Sequence, residues 1–126
     1  MPTELFRVAV VGAGETGTPL LRKLLDAPFV EVAGVADLDP DVAGMRLARE
    51  RGVRTTTNLM DLAGMGEALD VLIDVTGVPA VRESLRKAMQ DTGNHHTVIV
   101  HEVVVQLMLS LLHGDLVQLK HDTTDY

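Results

Sequence analysis

Short apolar runs alternate along this chain with longer segments of helical periodicity. The run Arg7–Val11 is rich in valine and ends abruptly at Gly12, which is typical of a strand buried on both faces of a parallel sheet. The segment that follows, Thr16–Asp26, places its leucines on one helical face and its basic residues on the other. This alternation predicts an α/β protein.

The alternation continues through the next eighty residues. Further strands are predicted at Val30–Ala36, Val53–Thr57, Val71–Val75 and Thr97–Val100. Further helices are predicted from Asp39-Pro40 to Arg51 with Gly52 as the cap, weakly over Asn58–Leu69, and from Pro79 to Thr92. We therefore expect a single domain over residues 1–100, built on a doubly wound parallel sheet with right-handed crossovers.

The tail, residues 101–126, allows two interpretations. The polar residues of Glu102–His113 recur at spacings of four, four and three, which predicts a helix with a narrow polar stripe. The run Val103–Val105 favours instead an extension of the fifth strand. We prefer the helix, and a helix this apolar needs burial on most sides. Residues 102–119 are therefore expected to pair with a second copy of the chain or to join a further domain.

Composition excludes several classes of protein. The 126 residues contain no cysteine, which rules out disulfides, thiolate metal sites and a cysteine nucleophile. A net charge of −7 and 2% aromatic residues argue against a nucleic-acid partner. The longest apolar stretch, Val103–Leu112, is too short to span a bilayer, and residues 1–7 lack the pattern of a secretory signal. We expect a cytoplasmic protein without a membrane or nucleic-acid partner.

The segment Gly12–Gly17 reads Gly-Ala-Gly-Glu-Thr-Gly, between a predicted strand and a predicted helix. In this pattern Gly12 permits a tight turn, Gly14 lets a pyrophosphate approach the backbone, and Gly17 lets the helix pack closely on the strand. The helix N-terminus offers N–H groups to phosphates. Asp37, twenty residues after Gly17, is positioned to accept hydrogen bonds from ribose hydroxyls. Together these features predict a dinucleotide site.

The acidic residues that follow the second strand favour NAD(H) over NADP(H). A 2′-phosphate would meet Asp37, Asp39 and Asp41, with no arginine before Arg46. Two alternatives stay open at this stage: the glycines serve packing alone, or the fold has lost an ancestral dinucleotide.

From Arg7 to about Val100 the chain resembles the N-terminal NAD(P)-binding Rossmann domains of several dehydrogenases. These are the homoserine and aspartate dehydrogenases, dihydrodipicolinate reductase, and the glucose–fructose oxidoreductase and inositol dehydrogenase family. The resemblance rests on Val10–Gly17, Ala36–Pro40 and Leu69–Pro79. It implies that the loop after the fourth strand lies beside the nicotinamide.

Motif and resemblance together define a candidate cofactor site on three loops. Its members are Gly12, Gly14, Glu15, Thr16, Gly17, Asp37 and Leu38, and, by resemblance, Thr76, Gly77 and Pro79.

The reaction itself does not carry over. The resembling enzymes have a second, substrate-binding domain, and the sugar oxidoreductases have a Glu-Lys-Pro motif where this chain has Val98–Val103 without lysine. One hypothesis is an NAD(H)-binding module of an oxidoreductase-like protein, with hydride transfer only when a substrate domain or partner is supplied. The other is a non-catalytic nucleotide sensor that dimerises through its tail.

Several other polar residues are candidates for function. His95, His96, His101 and Glu102 could form a metal cluster, but their spacing favours solvated histidines. His101 could act as a general base at the carboxyl end of a strand, although sequence reasoning identifies no partner to orient it. Asp74 sits in an apolar run, where orienting a loop is a better interpretation than binding a ligand.

Overall fold

A computed structural model describes residues 5–14 and 17–117. Its strands are β1 (Phe6–Val11), β2 (Val30–Ala36), β3 (Thr55–Thr56), β4 (Val71–Asp74) and β5 (Val98–Val100). Its helices are α1 (Gly17–Asp26), α2 (Ala43–Glu50), α3 (Met60–Ala63), α4 (Pro79–Thr92) and α5 (Glu102–His113), with a short 3₁₀ turn at Gly66–Ala68.

The strands form one sheet in the order β3-β2-β1-β4-β5, and every neighbouring pair is parallel. The chain moves outward from β1 to β2 and β3 on one side, then returns to place β4 and β5 on the other. This confirms the doubly wound parallel sheet. The order reverses at β1, and such a reversal opens a crevice at the carboxyl ends of the strands.

Helices cover both faces of the sheet. On one face Val8 and Val10 of β1 belong to the core that includes buried residues of α1, α2 and α5. On the other face Ala9 and Val11 pack with residues of α3 and α4. Residues Val8–Val11 of β1 are all apolar and buried, because helices cover both faces of the sheet there.

Three predicted elements have wrong bounds. The weak helix predicted over Asn58–Leu69 is only α3 (Met60–Ala63), followed by the 3₁₀ turn at Gly66–Ala68. Helix α2 begins at Ala43 rather than at Pro40, because the Asp39 carboxylate accepts the Asp41 N–H at 2.8 Å and forms a turn instead of capping a helix. Strand β3 is two residues long rather than five, since only Thr55 and Thr56 pair with β2. β3 lies at one edge of the sheet.

Residues Glu102–His113 of the tail form helix α5 and do not extend β5, which ends at Val100. Val105 and Leu109 anchor the helix in the core. The polar stripe binds the segment that follows the helix: Gln106 Nε2 donates to the Val117 carbonyl at 2.9 Å, and Ser110 Oγ accepts the Val117 N–H at 3.0 Å. Residues 118–126 of the tail lie outside the described residues.

The face of α5 that lies opposite the buried Val105 and Leu109 is apolar and exposed. Val103, Val104, Leu107 and Leu111 are 45–72% exposed and fall within about 100° of arc at 3.6 residues per turn. Among the described residues, the expectation of burial on most sides is therefore not met. Across residues 5–14 and 17–117, none of the helices combines the length and apolarity needed to cross a bilayer.

Candidate functional site

Three loops meet at the carboxyl ends of β1, β2 and β4. The Gly12 N–H donates to the carbonyl of Ala36, the last residue of β2, at 2.8 Å. On its other side a Cβ built on Gly12 would lie 3.4 Å from Cγ2 of Thr76, which follows β4. The glycine loop is thus held between the other two loops, at the point where the strand order reverses.

The glycine loop turns tightly and brings α1 against the end of β1. Gly12 has a φ of +99°, a conformation that favours glycine. A Cβ on Gly17 would lie 2.0 Å from the Gly12 carbonyl oxygen, so any other residue would push the helix away. Gly14 differs, since a Cβ there would meet no atom within 4 Å. Glu15 and Thr16 lie outside the described residues.

Asp37 has a structural role that the motif alone does not predict. Its side chain turns inward, and the residue is only 2% exposed. Oδ2 accepts the Ala13 N–H at 2.7 Å, and Oδ1 accepts the Asp39 N–H at 3.0 Å. Hydrogen bonds to a carboxylate are stronger than those between neutral groups, so Asp37 fixes the glycine loop relative to β2.

Sequence reasoning missed Gly44, which packs on the same loop. Its N–H donates to the Ala13 carbonyl at 2.9 Å, and a Cβ on Gly44 would lie 2.4 Å from that oxygen. The hydroxyl of Thr18 donates to the same oxygen at 3.0 Å. A glycine inside a helix lowers stability by about 1 kcal/mol relative to alanine. A glycine within the predicted helix was therefore the sequence feature that could have indicated a close contact.

The loop after β4 is organised by Asp74, as the structural interpretation of that residue predicts. Asp74 Oδ1 accepts both the N–H of Thr76 at 2.9 Å and its hydroxyl at 2.6 Å. The hydroxyl oxygen of Thr76 in turn accepts a hydrogen bond from the Val78 N–H at 3.1 Å. Gly77 has a φ of +67°, and Pro79 is the first residue of α4.

The predicted site residues divide into two groups around the glycine loop. Asp37 and Leu38 lie on the β2 side, where Leu38 is 53% exposed. Thr76, Gly77 and Pro79 lie on the β4 side. The structure brings Gly12 against Thr76 and joins the loop to Asp37 through Ala13.

Two histidines pair with aspartates at opposite ends of β4. His101 Nδ1 lies 3.3 Å from Asp74 Oδ2 at the carboxyl end, and His96 Nε2 lies 2.7 Å from Asp70 Oδ1 at the amino end. Sequence reasoning missed Asp74 as the partner of His101, because the two meet only through strand pairing. Within the described ranges, no three potential metal ligands converge.

The pKa of Asp70 lies below its ordinary value. The main cause is the backbone N–H of Arg7, which donates to Asp70 Oδ2 at 2.9 Å. The hydrogen bond with His96 lowers the pKa further. The carboxylate therefore stabilises the start of β4 in its ionised form.

Residues 12–107 match the family model described as homoserine dehydrogenase, NAD binding domain. The chain belongs to this family. The match includes the three site loops and the first half of α5, and it confirms the resemblance drawn from the motifs. The chain is an NAD-binding Rossmann domain of the dehydrogenase type.

Known relatives are longer proteins. Acetaldehyde dehydrogenase 3 from Burkholderia lata is 34% identical over 90 residues, which cover 68% of this chain and 29% of that protein. The chain thus spans less than a third of this relative.

Solved structures share the fold at low identity. Myo-inositol 2-dehydrogenase from Lactobacillus plantarum superposes with a TM-score of 0.58 at 18% identity, covering 88% of this chain and 40% of that one. The 3-ketoreductase KijD10 from Actinomadura kijaniata, in complex with NADP, gives 0.55 at 22% identity, covering 76% and 29%.

Proposed function

We propose that this chain binds NAD(H), in preference to NADP(H), across the carboxyl edge of its sheet. It would serve as the cofactor module of a hydride-transfer protein whose substrate groups come from another domain or a partner. The observation that carries this proposal is the convergence of three loops on Gly12 and Ala13, where the strand order reverses.

The pyrophosphate is assigned to the loop Gly12–Gly17 and the start of α1, including Glu15 and Thr16. The open space beside Gly14 supports this assignment, because phosphate oxygens need direct access to backbone N–H groups. The hydrogen bonds of Ala13 to Asp37 and Gly44 support it as well, because a backbone segment that is already held in place loses less entropy when a ligand binds.

The adenosine is assigned to the β2 side. Leu38 offers an exposed apolar side chain on which the adenine could pack. An ionised carboxylate has about four acceptor positions, so Asp37 retains capacity for a ribose hydroxyl beyond its two backbone bonds. Asp39 and Asp41 add negative charge that opposes a 2′-phosphate, which supports the preference for NAD(H).

The nicotinamide is assigned to the β4 side, beside Thr76, Gly77 and Pro79. A bound nicotinamide supplies hydride acceptance or donation. Thr76 and its loop would provide a fixed wall for the ring, because Asp74 holds both the N–H and the hydroxyl of Thr76.

A second candidate function is a nucleotide-sensing domain that dimerises through α5. The observation in its favour is the exposed stripe Val103, Val104, Leu107 and Leu111. A second copy is the occupant we propose, since a two-fold axis sets identical apolar stripes against each other. We also propose a cytoplasmic location, because a cysteine-free sequence fits a reducing compartment.

A thermal-shift titration with NAD, NADH, NADP and ATP tests the main proposal. Ligand at about 100 times its dissociation constant adds roughly 2.7 kcal/mol of stability, which raises the melting temperature by several degrees. We expect a larger shift with NAD(H) than with NADP. Equal shifts with NAD and NADP would contradict the cofactor preference. The absence of any shift would favour the fold as a scaffold that has lost its dinucleotide.

A further inference from the structure

His101 and Asp74 meet because of the strand register. Asp74 lies opposite Val11 of β1, and on its other side Ile73 is paired with Val100 of β5. His101 follows directly after β5, so its side chain reaches the carboxylate at the carboxyl edge of the sheet. Asp74 is therefore one strand from β1 and its glycine loop, and His101 is two strands away, on the same edge of the sheet.

The carboxylate of Asp74 is buried and has one oxygen directed at this histidine. Its side chain is only 3% exposed, and Thr76 occupies its Oδ1 atom. Its other oxygen, Oδ2, faces His101 Nδ1 at 3.3 Å, at the long end for an N–H···O bond. An ionised carboxylate only accepts hydrogen bonds, so a hydrogen bond between the two requires the hydrogen on Nδ1. Nε2 of a neutral ring is then left as the acceptor.

The imidazole is partly exposed at the carboxyl edge of the sheet. The His101 side chain is 31% exposed, whereas its partner is buried. Asp74 connects it to Thr76, and Thr76 abuts Gly12. Asp37 lies on the opposite side of Gly12, beyond β1. If the adenosine lies by Asp37, the nicotinamide half extends toward His101.

We propose that His101 is the proton-exchanging group at the nicotinamide half of the cleft, and that Asp74 is the positioning residue that fixes its tautomer. The inference rests on the proposed function. When a hydride leaves a carbinol carbon for a bound nicotinamide, the O–H bond breaks, its electron pair forms the C=O bond, and the proton passes to His101 Nε2.

The second histidine–aspartate pair is a matched internal control. His96 and Asp70 have the same chemistry at a contact of 2.7 Å, but they lie at the amino end of β4. That end faces away from the three site loops. A ligand in the cleft should therefore affect His101 and leave His96 unchanged.

The test is a set of nitrogen–proton NMR spectra of the whole chain, recording imidazole rings and backbone amides with NAD and with ADP-ribose. Both ligands should shift the amides of Gly12 and Ala13. Only NAD, which carries the nicotinamide, should shift the ring of His101, and neither should shift His96. Amide shifts without a response of His101 to NAD would overturn the inference and leave the proposed function standing. No amide shifts with either ligand would overturn both.

The ring spectra also test the role of Asp74 without any cofactor. We expect His101 to carry its hydrogen on Nδ1 in the neutral ring, and Asp74→Asn to shift the population toward the Nε2–H tautomer. Asp70→Asn should change His96 only. If the neutral ring of His101 in the wild type carries its hydrogen on Nε2, Asp74 is not its positioning residue. This result does not depend on whether Asp74→Asn folds.

Discussion

The backbone N–H of Ala13 lies 2.7 Å from Oδ2 of Asp37, so the carboxylate that follows β2 holds the middle of the glycine loop. The same carboxylate binds the Asp39 N–H. The residue that marks the candidate ribose site is therefore also part of the framework that shapes the candidate phosphate site.

Asp37→Ala should reduce both stability and NAD affinity. The change leaves the Ala13 and Asp39 N–H groups without their carboxylate acceptor, and hydrogen bonds to a charged group contribute roughly 1.5–3 kcal/mol. We expect a loss of that order in the free energy of unfolding, measured by urea denaturation. NAD affinity should fall by about 10–150-fold.

Asp39→Ala is the control for this variant. Its carboxylate makes an exposed bond to Asp41, and surface substitutions usually change stability by about 0.5 kcal/mol or less. Equal destabilisation by the two variants would contradict the stabilisation of the glycine loop by the Asp37 hydrogen bonds. NAD affinity unchanged in Asp37→Ala would remove Asp37 from the cofactor site.

Gly44→Ala should destabilise the protein, although it replaces glycine in a helix. Such a change normally stabilises by about 0.5–1 kcal/mol. Here the added Cβ would lie 2.4 Å from the Ala13 carbonyl oxygen and 2.8 Å from the Ala13 Cβ. Overpacking of this kind costs about 1–3 kcal/mol, so the sign of the effect should reverse in urea denaturation. A more stable variant would show that α2 does not approach the glycine loop this closely.

Leu107→Glu and Leu111→Glu should convert a dimer into a monomer in sedimentation velocity experiments. Both side chains are more than half exposed, so neither change should lower the melting temperature of the monomer. Val105→Ala provides the contrast, because Val105 is fully buried and its truncation should destabilise the fold. A wild-type chain that stays monomeric at high concentration would contradict dimerisation through α5.

Asp70 should contribute to stability in a defined pH range. Its pKa is lower in the folded protein than the ordinary 3.8. The contribution is therefore fully present above the unfolded value and is lost as the pH falls through the folded value. Asp70→Asn should flatten this part of the acid-unfolding profile, whereas Asp26→Asn serves as an exposed control. An unchanged profile would contradict the hydrogen bonds from Arg7 and His96.

The pattern of apolar runs and glycines was enough to predict the parallel sheet and its layers. Each strand between two helix layers must be apolar on both faces, and Arg7–Val11 and Val71–Val75 carry that pattern in a few consecutive residues. Both ends of α4 were predicted well, because Pro79 and Gly93, whose φ is +68°, fix the backbone there. Pro40 gave a wrong start for α2, because it lies in a turn that precedes the helix.

Contacts between distant residues could not be read from the sequence. Asp37 could bind a ribose or a backbone N–H, and only the positions of β1 and β2 show that Ala13 is within reach. Asp74 and His101 meet because β4 pairs with β5 in one register. The polar stripe of α5 showed the helical period but not its partner, since Gln106 and Ser110 bind Val117 and an apolar face is exposed.

Calorimetric titration of NAD into the wild-type chain and Gly14→Ala tests the central claim most directly. A Cβ on Gly14 meets no protein atom within 4 Å, so the variant should match the wild type in urea denaturation. The same methyl group would occupy the proposed path of the pyrophosphate. We predict binding of one NAD by the wild type and affinity weakened at least about tenfold in the variant, or 1.4 kcal/mol. Absence of binding by the wild type, or equal affinity in a correctly folded variant, would contradict a dinucleotide site on the glycine loop.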